Sequence, residues 1–115
     1  MGQAIAGTCY VKADGQQFSV MGGIECPLFD VKRESVLPGL YKEEDLTPYV
    51  KVDAAFTKDF PINKLRAAKD MTVTVEYRNG RVYVLTEAYV VGEPAASGDD
   101  GKVALEFNGR KGVWQ

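Results

Sequence analysis

The side chains that could do chemistry in this chain are carboxylates, two cysteines and a scatter of arginines, because its 115 residues include no histidine. Histidine is the commonest general base and the commonest metal ligand, so most hydrolytic triads and most zinc sites are excluded. The densest acidic group is Glu43-Glu44-Asp45. A carboxylate pair can serve glycoside hydrolysis, yet adjacent acids in a loop read first as solvated charge. Asp99-Asp100-Gly101 resembles the start of a calcium loop but lacks the alternating oxygen ligands and distal Glu of an EF-hand. Gly22-Gly23 lacks the spacing and the following Lys-Ser or Lys-Thr of a phosphate loop, and reads as backbone relief at a sheet corner. No catalytic residue, cofactor or metal ligand is assigned, and an enzyme is not expected. Cys9 and Cys26 stand 17 positions apart and form no Cys-x-x-Cys motif, which favours small buried hydrophobes over a disulfide or a reactive thiol.

The cationic candidates are Arg78 and Arg81, flanking Asn79-Gly80, and the pair Arg110-Lys111. A solvated face is their simplest reading; subunit contacts and a weak nucleic-acid patch are the alternatives. With Tyr77, Tyr83 or Tyr89 as stacking platforms, the patch would make an OB-like single-stranded nucleic-acid-binding domain. A net charge of −2 argues against a grip that works by neutralising phosphates. Trp114 is the only tryptophan; it either packs back on its own domain or anchors a neighbouring subunit.

The elements that must position these groups are mostly strands. Residues 71–77 alternate, Asn79-Gly80 interrupts, and residues 82–91 follow as a nearly continuous apolar run, which spells a hairpin with a type I′ turn and a return strand buried on both faces. Asp14-Gly15 marks a second hairpin after residues 8–13. Residues 49–56 and 102–108 repeat the two-residue period. Pro61 followed by Ile62, Leu65 and Ala68 at helical spacing predicts one short amphipathic helix at about 61–70. Residues 1–7 read as a mobile N-terminal arm, 37–47 as the longest loop and 109–115 as a C-terminal tail. The sum is one mostly β domain over 1–115, a compact antiparallel β-sandwich or barrel of six or seven strands with one flanking helix. The 45% hydrophobic and 26% charged content fits a globular chain, with no run long enough to span a membrane and no signal peptide or myristoylation start expected. So many strands leave edges that must be hidden, charged or paired with another chain.

Read in order, Gly7-Thr8-Cys9-Tyr10-Val11-Lys12 with Asp14-Gly15-Gln16-Gln17, then Asp59-Phe60-Pro61, then Met71-Thr72-Val73-Thr74-Val75-Glu76 with Asn79-Gly80, then Val82-Tyr83-Val84-Leu85, and finally Gly109-Arg110-Lys111-Gly112-Val113-Trp114-Gln115 resemble the Mu-like phage tail tube proteins. The resemblance implies a structural virion protein that self-assembles into hexameric rings, stacked head to tail as the inner tube of a contractile tail. It implies as partners further copies of itself, the sheath, a baseplate or initiator and a tape-measure protein, with DNA passing without specific binding and no membrane involved. It implies a place in the phage tail, with host cytoplasm during assembly. The subunit and ring contacts expected from it are Leu37, Leu40, Tyr41, Glu43, Glu44 and Asp45 of the long loop, Arg78 and Arg81, and Arg110, Lys111 and Trp114 of the tail, together with the arm before Thr8.

Overall fold

The computed structural model of the protein describes residues 9–18 and 20–115. Ten strands and one helix follow in chain order among them: β1 Cys9–Ala13, β2 Gln16–Phe18, β3 Val20–Glu25, β4 Val31–Leu37, β5 Leu40–Asp45, β6 Tyr49–Ala55, α1 Ile62–Ala67, β7 Met71–Tyr77, β8 Val82–Val91, β9 Lys102–Asn108 and β10 Lys111–Trp114. The fold is the mostly β, antiparallel one that the alternation predicts. The strand count exceeds the expected six or seven because residues 17–36 hold parts of three strands and because β5 and β10 occupy segments read as loop and tail. The N-terminal arm expected over 1–7 lies outside the described residues.

The β7–β8 hairpin is the centre of the molecule. Its turn is not type I′: Gly80 takes a φ of 95° while Asn79 does not enter the left-handed region. The Gly80 N–H donates to the Tyr77 carbonyl at 3.0 Å and the Tyr77 N–H to Arg81 at 2.8 Å, the pattern of a three-residue loop closed by a glycine bulge. The type I′ geometry falls instead between β1 and β2, where Asp14 and Gly15 have φ of 49° and 81°. Asp14 is fixed from two sides, its N–H donating to Thr72 at 3.0 Å and its carboxylate accepting from the Thr72 N–H at 2.9 Å.

One continuous antiparallel path runs β2-β1-β7-β8-β9-β6-β3, with β10 also on β8. It folds into two layers at a bulge in β8. Between the pairs Val73↔Leu85 and Met71↔Ala88, β8 carries one extra residue, and Glu87 there has a φ of 50°. A bulge bends its strand, so the first part of β8 pairs with β7 and β10 while Tyr89, Val90 and Val91 pair with β9. The core lies between the layers: Val11, Ala13, Val73, Val75, Tyr83 and Leu85 face Val50, Val52, Ala54, Val103, Leu105 and Phe107, with Met71 and Ala88 at the fold line. β8 is buried on one face only, with Tyr83, Leu85 and Ala88 inside and Tyr89 exposed. The other face looks outward, as in antiparallel sandwiches generally.

The helix is shorter than the pattern suggested, and Leu65 is its buried residue. Gly22 and Gly23, expected as backbone relief at a sheet corner, sit inside β3 where its register against β6 slips twice. The final residues are not a loose tail. β10 pairs Trp114 opposite Tyr83, and Trp114 packs back on its own domain, 5.7 Å from the Tyr77 ring and 4.9 Å from Tyr83, with its indole N–H donating to the Pro27 carbonyl at 2.9 Å.

Candidate assembly surface

The segment expected as the longest loop is a β-hairpin arm. β4 and β5 pair only with each other, as a separate two-stranded sheet. Leu37-Pro38-Gly39-Leu40 turns the chain with Gly39 at a φ of 81°, the Pro-Gly order that a type II turn favours. Such a ribbon has no core, and its register comes from charge. The facing pairs are Lys32↔Glu44, Arg33↔Glu43 and Glu34↔Lys42, three opposite-sign matches of the kind that stabilise antiparallel pairs. Arg33 Nε reaches Glu43 at 3.0 Å, and Glu34 is gripped by Lys42 at 3.2 Å and Lys32 at 3.3 Å. The Lys42 hydrogen bond, then that of Lys32, holds the Glu34 carboxyl below the usual range. Arg33 also lies over the rings of Phe29, at 6.0 Å, and Tyr41, at 5.7 Å, a cation–π contact that steadies the arm near its base.

The tip of the arm is apolar and wet. Val36, Leu37, Leu40 and Tyr41 are each about three-fifths exposed. Of the residues expected at subunit contacts, the structure gathers Leu37, Leu40, Tyr41, Glu43, Glu44 and Asp45 onto this one ribbon. Alternation splits the acids: Glu43 and Asp45 share one face and Glu44 takes the other, so they do not form a paired-carboxylate site. Arg78 and Arg81 flank the β7–β8 turn, and Arg81 shares a cleft of about 560 Å³ with Cys26, Leu28, Phe29 and Trp114. Arg110 stands apart at the β9–β10 corner, 3.5 Å from Glu87, and Lys111 opens β10. Cys26 is half-buried against the core; the side chain of Cys9 is not among those described. The tyrosines do not form one stacking platform, since Tyr83 is buried, Tyr77 stacks on Trp114 and Tyr89 looks outward from the other layer.

Three strands end the sheets: β2 and β10 bound one layer and β3 bounds the other. The outward face of the β3-β6-β9 layer is charged, carrying Glu25, Lys51, Asp53, Lys102 and Glu106. Glu25 and Glu106 both flank Lys51 in register, and Lys102 Nζ lies 3.9 Å from Asp53. Three carboxylates against two lysines leave this face acidic. The Tyr49 hydroxyl donates to Glu25 at 2.7 Å, and that bond, aided by burial, pushes its pKa up to about 12.

Sequence reasoning missed a second apolar surface. Phe56, Phe60, Ile62, Leu65, Ala68 and Pro94 line a cleft of about 470 Å³ between α1 and the sheet. Phe56 and Ile62 are about half exposed. Ile62 stands three positions before Leu65 and so reads in the sequence as part of one buried stripe; its exposure is set by where the helix packs and not by its spacing.

The model of the family described as phage tail tube protein matches residues 2–114. No curated protein matches the sequence. The fold resembles that of Hcp1 from Flavobacterium johnsoniae, with a TM-score of 0.62 at 14% identity over 92% of this chain and 93% of that one. It also resembles a chain of the PVC sheath/tube terminator of an extracellular contractile injection system in the extended state, with a TM-score of 0.65 at 9% identity over 100% of this chain and 98% of the other.

Proposed function

Because the chain belongs to the phage tail tube protein family, we propose that it is the structural subunit of hexameric rings that stack head to tail into the inner tube of a contractile tail, the conduit for DNA. The observation that carries this reading is the coexistence of open edge strands with an arm that no other strand of the chain pairs with, among the described residues. Edge strands present unpaired backbone groups that another chain can complete. Joining β-edge to β-edge around a ring satisfies them by closure, whereas a contact between unlike surfaces along the axis propagates as a filament.

In this reading the acidic face of the β3-β6-β9 layer lines the channel. A negative wall repels DNA phosphates, so the polyanion slides without sticking. The opposite face of the subunit is left for the sheath, and the ends of the tube for a baseplate initiator and a tape-measure protein. The finished tube resides in the virion after assembly in the host cytoplasm. Negative-stain electron microscopy of the concentrated protein tests the proposal. Rings or hollow tubes of uniform width are expected. A protein that stays monomeric and binds a single-stranded oligonucleotide with strong salt dependence would overturn it in favour of the nucleic-acid-binding alternative.

A further inference from the structure

We infer that Asn79, in the β7–β8 turn, is a site of spontaneous deamidation, and that the fold withholds the same reaction from Asn108. The dipeptide Asn-Gly occurs twice, as Asn79-Gly80 and Asn108-Gly109. In both, the glycine has no side chain to shield its amide nitrogen from the asparagine side chain. The chemistry open to each is identical. The glycine nitrogen attacks the asparagine Cγ, the Cγ–Nδ2 bond breaks, and ammonia leaves with the proton shed by the glycine nitrogen. Water is the only other reactant. It opens the cyclic imide at Cγ to give aspartate, or at the main-chain carbonyl to give isoaspartate, whose backbone runs through the former side chain.

The surroundings separate the two sites. Asn79 and Gly80 are exposed, and a Cβ on Gly80 would meet nothing within 4 Å, so the loop has room to bring nitrogen and Cγ together. The Asn79 Oδ1 accepts from the Arg81 N–H at 3.1 Å. That bond curls the amide back over the Gly80 peptide and stabilises the negative charge that attack places on the oxygen. One bond opposes the reaction, the Gly80 N–H donating to Tyr77 at 3.0 Å, but it lies in an exposed turn, where local opening costs little. Asn108 is clamped from both sides, opposite Tyr49 of β6 and Tyr89 of β8. Gly109 is buried, its N–H donates to Pro48 at 3.1 Å, and a Cβ there would lie 2.7 Å from Leu85 and 2.8 Å from the Thr86 carbonyl. Closing the imide at Asn108 therefore requires β9 to leave both neighbours. At Asn79 the product sets a carboxylate between Arg78 and Arg81, and isoaspartate adds a carbon atom to the backbone of the loop.

The reaction needs no second copy, so unassembled protein serves for the test. Folded protein is aged in mildly alkaline buffer and cut after glutamate, which yields fragments 77–87 and 107–115 with one Asn-Gly each. Mass spectrometry reads the exchange of amide for acid in each fragment, and labelling by an isoaspartyl methyltransferase identifies the isoaspartate. Asn79 is expected to convert at least about tenfold faster than Asn108, a barrier difference of about 1.4 kcal/mol. In the same buffer with urea, the two should convert at similar rates. Folded protein in which Asn79 is as slow as Asn108 overturns the inference. So does a difference that persists undiminished in urea, which would place its cause in the neighbouring residues and not in the fold. N79Q, whose longer side chain forms the imide far more slowly, should lose the methyl label from fragment 77–87; label that stays in that fragment overturns the assignment to Asn79.

Discussion

Gly112 leaves the space that the Tyr83 hydroxyl fills, since a Cβ there would collide with it, and a Cβ at Gly109 would lie 2.7 Å from Leu85 and 2.8 Å from the Thr86 carbonyl. These glycines let the chain close over buried Tyr83 and Leu85. Gly109→Ala is expected to lose about 1–3 kcal/mol through overpacking, read as a lower urea midpoint at unchanged m. The tyrosines give a second residue-scale expectation. Tyr49, through its bond to Glu25, and Tyr83, through burial, are both pushed up to about 12. A group raised in the folded state gives stability that is full below the unfolded pKa, about 10 for tyrosine, and lost as pH rises through the folded one. Ultraviolet titration should therefore show Tyr49 and Tyr83 ionising late, and Tyr49→Phe should remove one of these two late steps.

At the scale of elements, the arm is held by charge, and acid should loosen it before the body. Glu34 has its pKa lowered by Lys42 and Lys32, so its contribution is complete above the ordinary glutamate pKa and lost as pH falls through the lowered value. Hydrogen exchange of the β4 and β5 amides is expected to accelerate below about pH 4 while β6, β7 and β9 stay protected. Uniform loss of protection across all strands would contradict this. The same contrast explains which elements were legible in the sequence. β6, β7 and β9 bury one face, so Val50, Val52, Val73, Val75, Val103 and Leu105 write their period into the residues. β4 and β5 bury neither face, and their order lies in Lys32↔Glu44 and Glu34↔Lys42, pairs that mean nothing until the partner strand is known. The Asn79-Gly80 hairpin was legible in place but not in type, because Arg81 closes a longer loop. β10 was hidden by Gly112, which reads as flexibility in a sequence and is required contact space in the fold. The cleft beside α1 was hidden for the opposite reason: Phe56 and Pro94 meet Ile62 only through tertiary folding.

At the scale of the whole molecule, the arm and the sandwich are held by unlike physics, facing charges in one and a buried core in the other. The radius of gyration is 15.9 Å, against about 13 Å for a compact chain of this length, and the β4–β5 ribbon pairs with no other strand among the described residues. The proposed stacking can therefore be altered at the ribbon without changing the fold. Leu40→Asp places a charge on a tip residue that is 59% exposed in the single chain, so the melting temperature of the monomer should stay within the small range of surface changes while tubes fail to lengthen. The face proposed to line the channel should behave in the reverse manner. Glu106→Lys and Asp53→Lys alter no tip or edge, so tubes should still form, but the outward face of the β3-β6-β9 layer turns from acidic to basic. In the proposed hexameric ring, six such faces around one axis would multiply the change. Assembled tubes of the double variant should retain a short single-stranded oligonucleotide at low salt and release it steeply as salt rises, whereas wild-type tubes should retain none. Equal retention by both would show that this layer does not face the channel, even if the rings themselves are as proposed.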